Sequence, residues 1–526
     1  MFEIISEHYN YVFLVIILIY NFIPKKIRPI VLLLYSLLFF TFLSKWLVLC
    51  LITTILSVYI GSLLIKRLNN KEQKEKENAD IEVKKLIKKK YKRRKKLVLL
   101  CSILINVIFL FIFKYLKFFT INLNTILDWF SIDKEFKVIK LLSPIGISFY
   151  SLSAISYIAD VYNGKIEADK NIFRVALFIS FFPQIIEGPI ARYSDTANDL
   201  YAGNKITYHN FCFAFQRILY GIFKKMVIAD RLNILVKMVF TNYTDYNGIA
   251  ILLGAIGYTV MLYMEFSGTM DYVLGVGELF GVKVPENFRQ PFFSKNISEF
   301  WTRWHISLGT WFKDYIYYPI SLSKPLKKLT VFARKILGNH YGPMISGSIA
   351  LLVVWLLNGL WHGAGYTFIL FGLYHFMLIF LGNLFEPLVE KVCGKLKINR
   401  KNIFYRIFQS IKMTFFVFIG ELIFRAESVS QALFMIKRIF FNFTITYKEC
   451  LSLGLDHQDY IIVGISLVVI FIIGLLKEKG HDIRTEIGKK NIFLRWFLYY
   501  LLIFAIIIFG AYGAGYVPVD PMYADF

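Results

Sequence analysis

One histidine stands in a setting that suits proton-transfer chemistry, and a second closes an aromatic run. His362 is bracketed in Trp355-Leu356-Leu357-Asn358-Gly359-Leu360-Trp361-His362-Gly363-Ala364-Gly365, and His305 ends the run Phe300-Trp301-Thr302-Arg303-Trp304-His305. A neutral imidazole accepts a proton from a hydroxyl nucleophile, and apolar surroundings favour that neutral form. The apolar span 346–361 before His362 has 16 residues, about 24 Å of helix against a hydrocarbon core of about 30 Å. This spacing predicts that His362 lies within the membrane thickness. The residues alone equally allow a packing histidine satisfied by a carbonyl. His375 would fall about 220° further round a continuous helix and is left out of the site.

Between Gly281 and Pro343 the apolar pattern breaks. Trp311-Phe312-Lys313-Asp314-Tyr315-Ile316-Tyr317-Tyr318-Pro319 interleaves aromatic and charged residues, which suits amphipathic or re-entrant helices, with an interfacial aromatic belt as the alternative. Glu187, Glu265 and Asp271 sit in apolar sequence, where carboxylates take partners; Arg192, Arg289, Arg303 and Lys313 are the expected ones, in structural ion pairs. Five scattered cysteines, with no Cys-x-x-Cys pair and no His-rich spacing, predict neither a disulfide framework nor a metal site.

These residues have to be held by membrane helices. The chain has 526 residues, 57% hydrophobic, with 52 Phe and 33 Tyr, which excludes intrinsic disorder. A mean hydropathy of +0.55 and long apolar runs exclude an ordinary water-soluble enzyme. The expected fold is all-α, a polytopic transmembrane bundle of roughly a dozen spans with re-entrant or amphipathic helices, in a single domain covering 1–526. Thirteen apolar stretches qualify as candidates, among them 140–159, 171–187 and 210–228. Residues 66–96 carry 15 Lys/Arg against 5 Asp/Glu, ten of the net charge of +25, so this loop is expected on the cytoplasmic side. Alternation from it puts Lys25, Lys26 and Arg28 inside and the acidic N-terminus outside, with no cleavable signal peptide. The tail 515–526, acidic and without Lys or Arg, also reads as external.

The motifs resemble those of the membrane-bound O-acyltransferases, in particular the bacterial branch of alginate and peptidoglycan O-acetyltransferases and the D-alanine transfer proteins of teichoic acid synthesis. The resemblance rests on Pro-Glu-Asn-Phe (285–288), Glu-Phe-Trp-Thr-Arg-Trp-His-Ile-Ser-Leu (299–308), Trp-Phe-Lys-Asp-Tyr-Ile-Tyr-Tyr-Pro (311–319) and Gly-Leu-Trp-His-Gly-Ala (359–364). Phe-Phe-Pro-Gln-Ile-Ile-Glu-Gly-Pro-Ile (181–190) and Phe-Ser-Gly-Thr-Met-Asp (266–271) add to it, so that it covers about 140–385. It implies His362 as the catalytic histidine and His305 as the second. Arg303, Trp304, Asp314, Tyr317, Asn358 and Trp361 would bind the donor or support the pair.

The same resemblance implies acetyl-CoA as a donor substrate, with no bound cofactor and no metal. It implies a polysaccharide acceptor, an extracytoplasmic partner similar to SGNH hydrolases, and a place in the bacterial cytoplasmic membrane with both termini external. Ten Lys/Arg against three Asp/Glu from Lys283 to Lys335 would suit CoA phosphates. Tyr523 in the tail resembles an acyl-relaying tyrosine, although Ala524 stands where an aromatic is expected. D-alanyl transfer from a carrier protein, or a non-enzymatic transporter or flippase whose charges line a path, are the alternatives.

Overall fold

The computed structural model describes residues 13–443, 451, 453–512, 516 and 518–519. They are helical and contain no strand. Tyr523 lies outside the described residues. The described residues divide into two compact units, one of 13–215 and 273–285, the other of 216–272 and the described residues from 286 to 519.

Among the described residues, eight helical stretches are long and apolar enough to cross a membrane. One of them, Arg28–Glu77, is interrupted where Lys45 takes a φ of 51°, which separates Arg28–Ser44 from Val48–Glu77. The expected spans 140–159, 171–187 and 210–228 are not among the eight. The first shortens to Ile147–Asn163, and the second breaks at Phe181, just before Pro183, into Ile172–Ser180 and Phe182–Ile185. A proline tolerates the first turn of a helix and ends the one before it. In the third, Tyr208–Phe223 runs into a π-turn at Lys224–Ala229 before Asp230–Thr241.

In the first unit the basic stretch 66–96 is not a loop. Val48–Glu77 and Ile81–Leu110 run through it as an antiparallel pair, with Glu72 bonded to Lys76 and Lys95, and Glu75 to Lys90 and Tyr91. Arg28, expected in a loop, is buried. Its guanidinium donates to the carbonyls of Gly203 (2.9 Å), Asn21 (3.2 Å) and Tyr20 (3.3 Å), which satisfies the charge without an acid. Gly146 (φ 65°) brings the chain against Ile185, whose carbonyl oxygen would stand 1.7 Å from any Cβ there. Only glycine fits that approach.

The second unit is built around Gly248–Leu279, up to Tyr272, with Lys324–His362, Tyr366–Lys395, Ile403–Arg425, His457–Glu478 and Ile492–Phe509. Asn and Asp side chains start several of its helices: Asn402 accepts from Phe404 N–H, Asn491 from Leu494 N–H, and Asp456 forms a capping box with Asp459. The stretch from Lys324 to His362 is not one rod. Gly338 (φ 79°, ψ −176°) leaves helical geometry, and the chain folds back there, because Thr330 Oγ1 donates to Ser346 Oγ at 2.6 Å. Sixteen residues of straight helix would separate those atoms by about 24 Å.

The spanning arm is therefore 339–362, roughly 24 residues and about 36 Å, enough to cross the hydrocarbon core. This corrects the expectation of a short span before His362. The helix starts upstream of the apolar run, in Asn339-His340-Tyr341, whose polar composition hid it.

Candidate active site

His305 sits at a break between two seven-residue helices, Ile297–Arg303 and Ile306–Phe312. Asn296 starts the first by accepting from Glu299 N–H. The chain turns at His305, whose φ of 46° is uncommon for a side chain of this size. Two backbone bonds pin the turn, Ile306 N–H to Asn287 O at 3.0 Å and Arg289 N–H to Arg303 O at 2.9 Å. The imidazole is buried, edge-on to Phe266 at 4.8 Å between centroids, and its Nδ1 lies 3.3 Å from Asn287 Oδ1. His305 lies outside the spanning helices. Burial pulls its pKa below the ordinary range, so the ring is neutral.

His362 ends the long arm, buried, with its ring near Trp361 (5.0 Å), Phe424 (5.2 Å) and Phe371 (6.1 Å). Trp361 also faces His305 at 5.7 Å. One indole thus contacts both imidazoles, and the two histidines, 57 residues apart in sequence, meet in one unit. Glycines allow the helix carrying His362 to come close to Tyr366–Lys395. An added Cβ would stand 2.3 Å from Phe368 O at Gly359 and 2.3 Å from Trp355 O at Gly372.

The other expected residues divide. Asn358 is one turn before His362, and its Oδ1 is buried with no hydrogen-bond partner among the described residues. Trp361 is the ring that touches both imidazoles. Trp304 is buried in an aromatic set with Phe300 (5.4 Å), Phe288 (5.1 Å) and Tyr263 (5.8 Å), next to His305 in sequence. Arg303 is engaged by Glu478 (2.8 Å) and Glu299 (2.8 Å). Asp314 and Tyr317 share a π-turn, Lys313–Tyr317. The Tyr317 hydroxyl faces Gly347, 15 residues before His362 and so about 22 Å away along the helix. It is not part of the surroundings of His362.

His375, left out of the site, accepts from Trp301 Nε1–H at 3.3 Å and stacks on Trp355, a packing role. Asp271 does not pair with Arg192, Arg289, Arg303 or Lys313. Its partners are Arg217 (3.0 Å) and Lys224, and Arg217 also reaches Glu286 at 2.6 Å. Arg217 and Lys224 lie seven residues apart, two turns on one helical face. That spacing of two cations in apolar sequence was the available signal. Asn287 was also missed as a site residue, although its motif was noted.

Elsewhere in the same unit the described part of the C-terminal segment is docked. Arg231 pairs with Asp459 and donates to Tyr516 Oη (3.0 Å) and Phe509 O (2.8 Å), while Lys225 donates to Val519 O (2.7 Å) and Asp230 accepts from Val519 N–H (2.8 Å).

Residues 166–334 match the sequence profile of MBOAT, the membrane-bound O-acyltransferase family. The chain is similar to a probable alginate O-acetylase AlgI of Pseudomonas syringae pv. tomato, 35% identical over 64% of this chain and 58% of that protein. It is 34% identical to the probable alginate O-acetylase AlgI of Pseudomonas aeruginosa over 74% of this chain and 69% of the relative. It is also 34% identical to a peptidoglycan O-acetyltransferase of Helicobacter pylori over 53% of this chain and 54% of that protein. The chain thus spans less than two thirds of the length of two of these three relatives.

Proposed function

Because the chain belongs to the membrane-bound O-acyltransferase family, a family of acyltransferases, we propose that it moves an acetyl group from cytoplasmic acetyl-CoA across the cytoplasmic membrane towards a hydroxyl of a cell-envelope polysaccharide. The observation that carries this reading is that His305 and His362, both buried, each contact the ring of Trp361. The names of the relatives support an O-acetyl group and a polysaccharide acceptor.

In the proposed reaction His362 takes the proton of the acceptor hydroxyl as its oxygen bonds to the acyl carbon. The carbon–sulfur bond breaks, and the thiolate leaves and takes up a proton. Asn358 and Trp361 flank the acyl group. The acetyl crosses while CoA stays on the side with the basic loops, and an extracytoplasmic hydrolase-like acetyltransferase completes transfer to the polymer. Both termini then face outward, and Tyr523 relays the acyl group.

Purified protein in proteoliposomes, given acetyl-CoA on one side, should release free thiol and pass labelled acetate to an acceptor on the other. D-alanyl thioester on a carrier protein is the comparison donor. Turnover with that donor alone would overturn the acetyl reading, and no turnover with either would favour a non-enzymatic transporter.

A further inference from the structure

We infer that Asn287 is the positioning residue that fixes His305 as its Nδ1–H tautomer, so that His305 enters the reaction as a hydrogen-bond acceptor at Nε2 and not as a donor to the thioester carbonyl; this rests on the acyl-transfer reading above. The assignment follows from one unambiguous donor. Ser307 N–H points at a terminal atom of the Asn287 amide at 3.0 Å. A backbone N–H only donates, so that atom is the oxygen. The same Oδ1 accepts from Ser307 Oγ at 2.9 Å and lies 3.3 Å from His305 Nδ1. An amide oxygen has no proton to give, so Nδ1 carries it. A neutral imidazole has one N–H, and Nε2 therefore keeps its lone pair.

The amide is held this way round from its other end as well. Asn287 Nδ2 donates to Met270 Sδ at 3.2 Å, an atom that only accepts. The side chain is buried, and the segment carrying it is bonded through Ile306 N–H to Asn287 O. Arg217 ties the two stretches that Asn287 touches. It bonds Glu286, the residue before Asn287, and Asp271, the residue after Met270. One partly buried guanidinium thus braces the support of the His305 ring, as the groups behind a functional imidazole generally do.

The test uses the full chain in detergent, with Asn287→Ala, Asn287→Asp and Ser307→Ala. Ring ¹⁵N spectra, assigned by the signal lost in His305→Gln, should show Nδ1 protonated and Nε2 bare in the wild type. Asn287→Ala should mix the tautomers and lower the rate with acetyl-CoA roughly 10–100-fold. Asn287→Asp keeps an acceptor at Nδ1. It should restore the single tautomer and move the acid limb of the pH–rate profile to higher pH, because a carboxylate stabilises the imidazolium. Ser307→Ala keeps the backbone N–H that orients the Asn287 amide and should preserve the single tautomer.

A wild-type spectrum with Nε2 protonated would overturn the inference. So would an Asn287→Ala protein whose ring spectrum and pH profile match the wild type. If Asn287→Ala does not fold, the wild-type spectrum and Asn287→Asp still decide. Absence of turnover with acetyl-CoA in the wild type would instead overturn the functional reading, and leave the tautomer to the spectra.

Discussion

Replacing Gly372 with alanine should separate the two helices that place His362. A Cβ at Gly372 would stand 2.3 Å from the Trp355 carbonyl oxygen, and real Cβ atoms essentially never approach closer than 3.0 Å. The obstacle is backbone, so it cannot be relieved by a side-chain rotation. The helices must move apart by roughly 0.7–1 Å. A displacement of about 1 Å at a catalytic group costs on the order of 100-fold in rate, about 2.7 kcal/mol in the barrier, and overpacking costs about 1–3 kcal/mol of stability.

Gly382, on the same helix, has nothing within 4 Å of its added Cβ. Gly382→Ala is the matched control and should leave the rate unchanged. Initial rates of thiol release from acetyl-CoA would be measured beside thermal unfolding in the same detergent. A Gly372→Ala protein with the wild-type rate would refute the claim that this close approach sets the position of His362.

Three further outcomes are expected. Arg217→Gln should lower the unfolding midpoint, because it removes one of the two cations on partly buried Asp271, and should also slow turnover through the Glu286-Asn287 segment; an unchanged midpoint contradicts the brace. Arg231→Gln cuts the links to Asp459, Tyr516 and Phe509, so limited proteolysis should remove the C-terminal segment faster than in the wild type. Tyr523→Phe should abolish acetylation of the polymer while thiol release from acetyl-CoA persists, with mass spectrometry of the wild-type C-terminal peptide reading the acetyl-tyrosine adduct; full polymer acetylation in the variant would remove Tyr523 from the account.

The helical class could be read from hydropathy, because apolar runs are local signals, whereas the link between His305 and His362 came only from the resemblance of their motifs to a family. What depended on distant backbone could not. The fold-back at Gly338 needs a single glycine to leave the helix inside a run that otherwise continues. Counting from the apolar edge at 346 therefore shortened the span. The partners of Asp271 sit 54 and 47 residues upstream, with no local sign that their helix packs on its own. Tyr317 lies in a motif near His305 in sequence, yet its hydroxyl faces Gly347, about 22 Å along the helix from His362. Asn287 acts on His305 across a turn in which His305 itself takes a positive φ, a conformation that the side-chain pattern does not announce.

The most direct test is His362→Ala in a strain lacking the wild-type protein, with the variant checked for equal abundance in the membrane and polymer-bound acetate measured. The imidazole is the proposed base at the meeting point of donor and acceptor. The account predicts loss of polymer acetate with normal insertion, and acetylation retained at the wild-type level would contradict it.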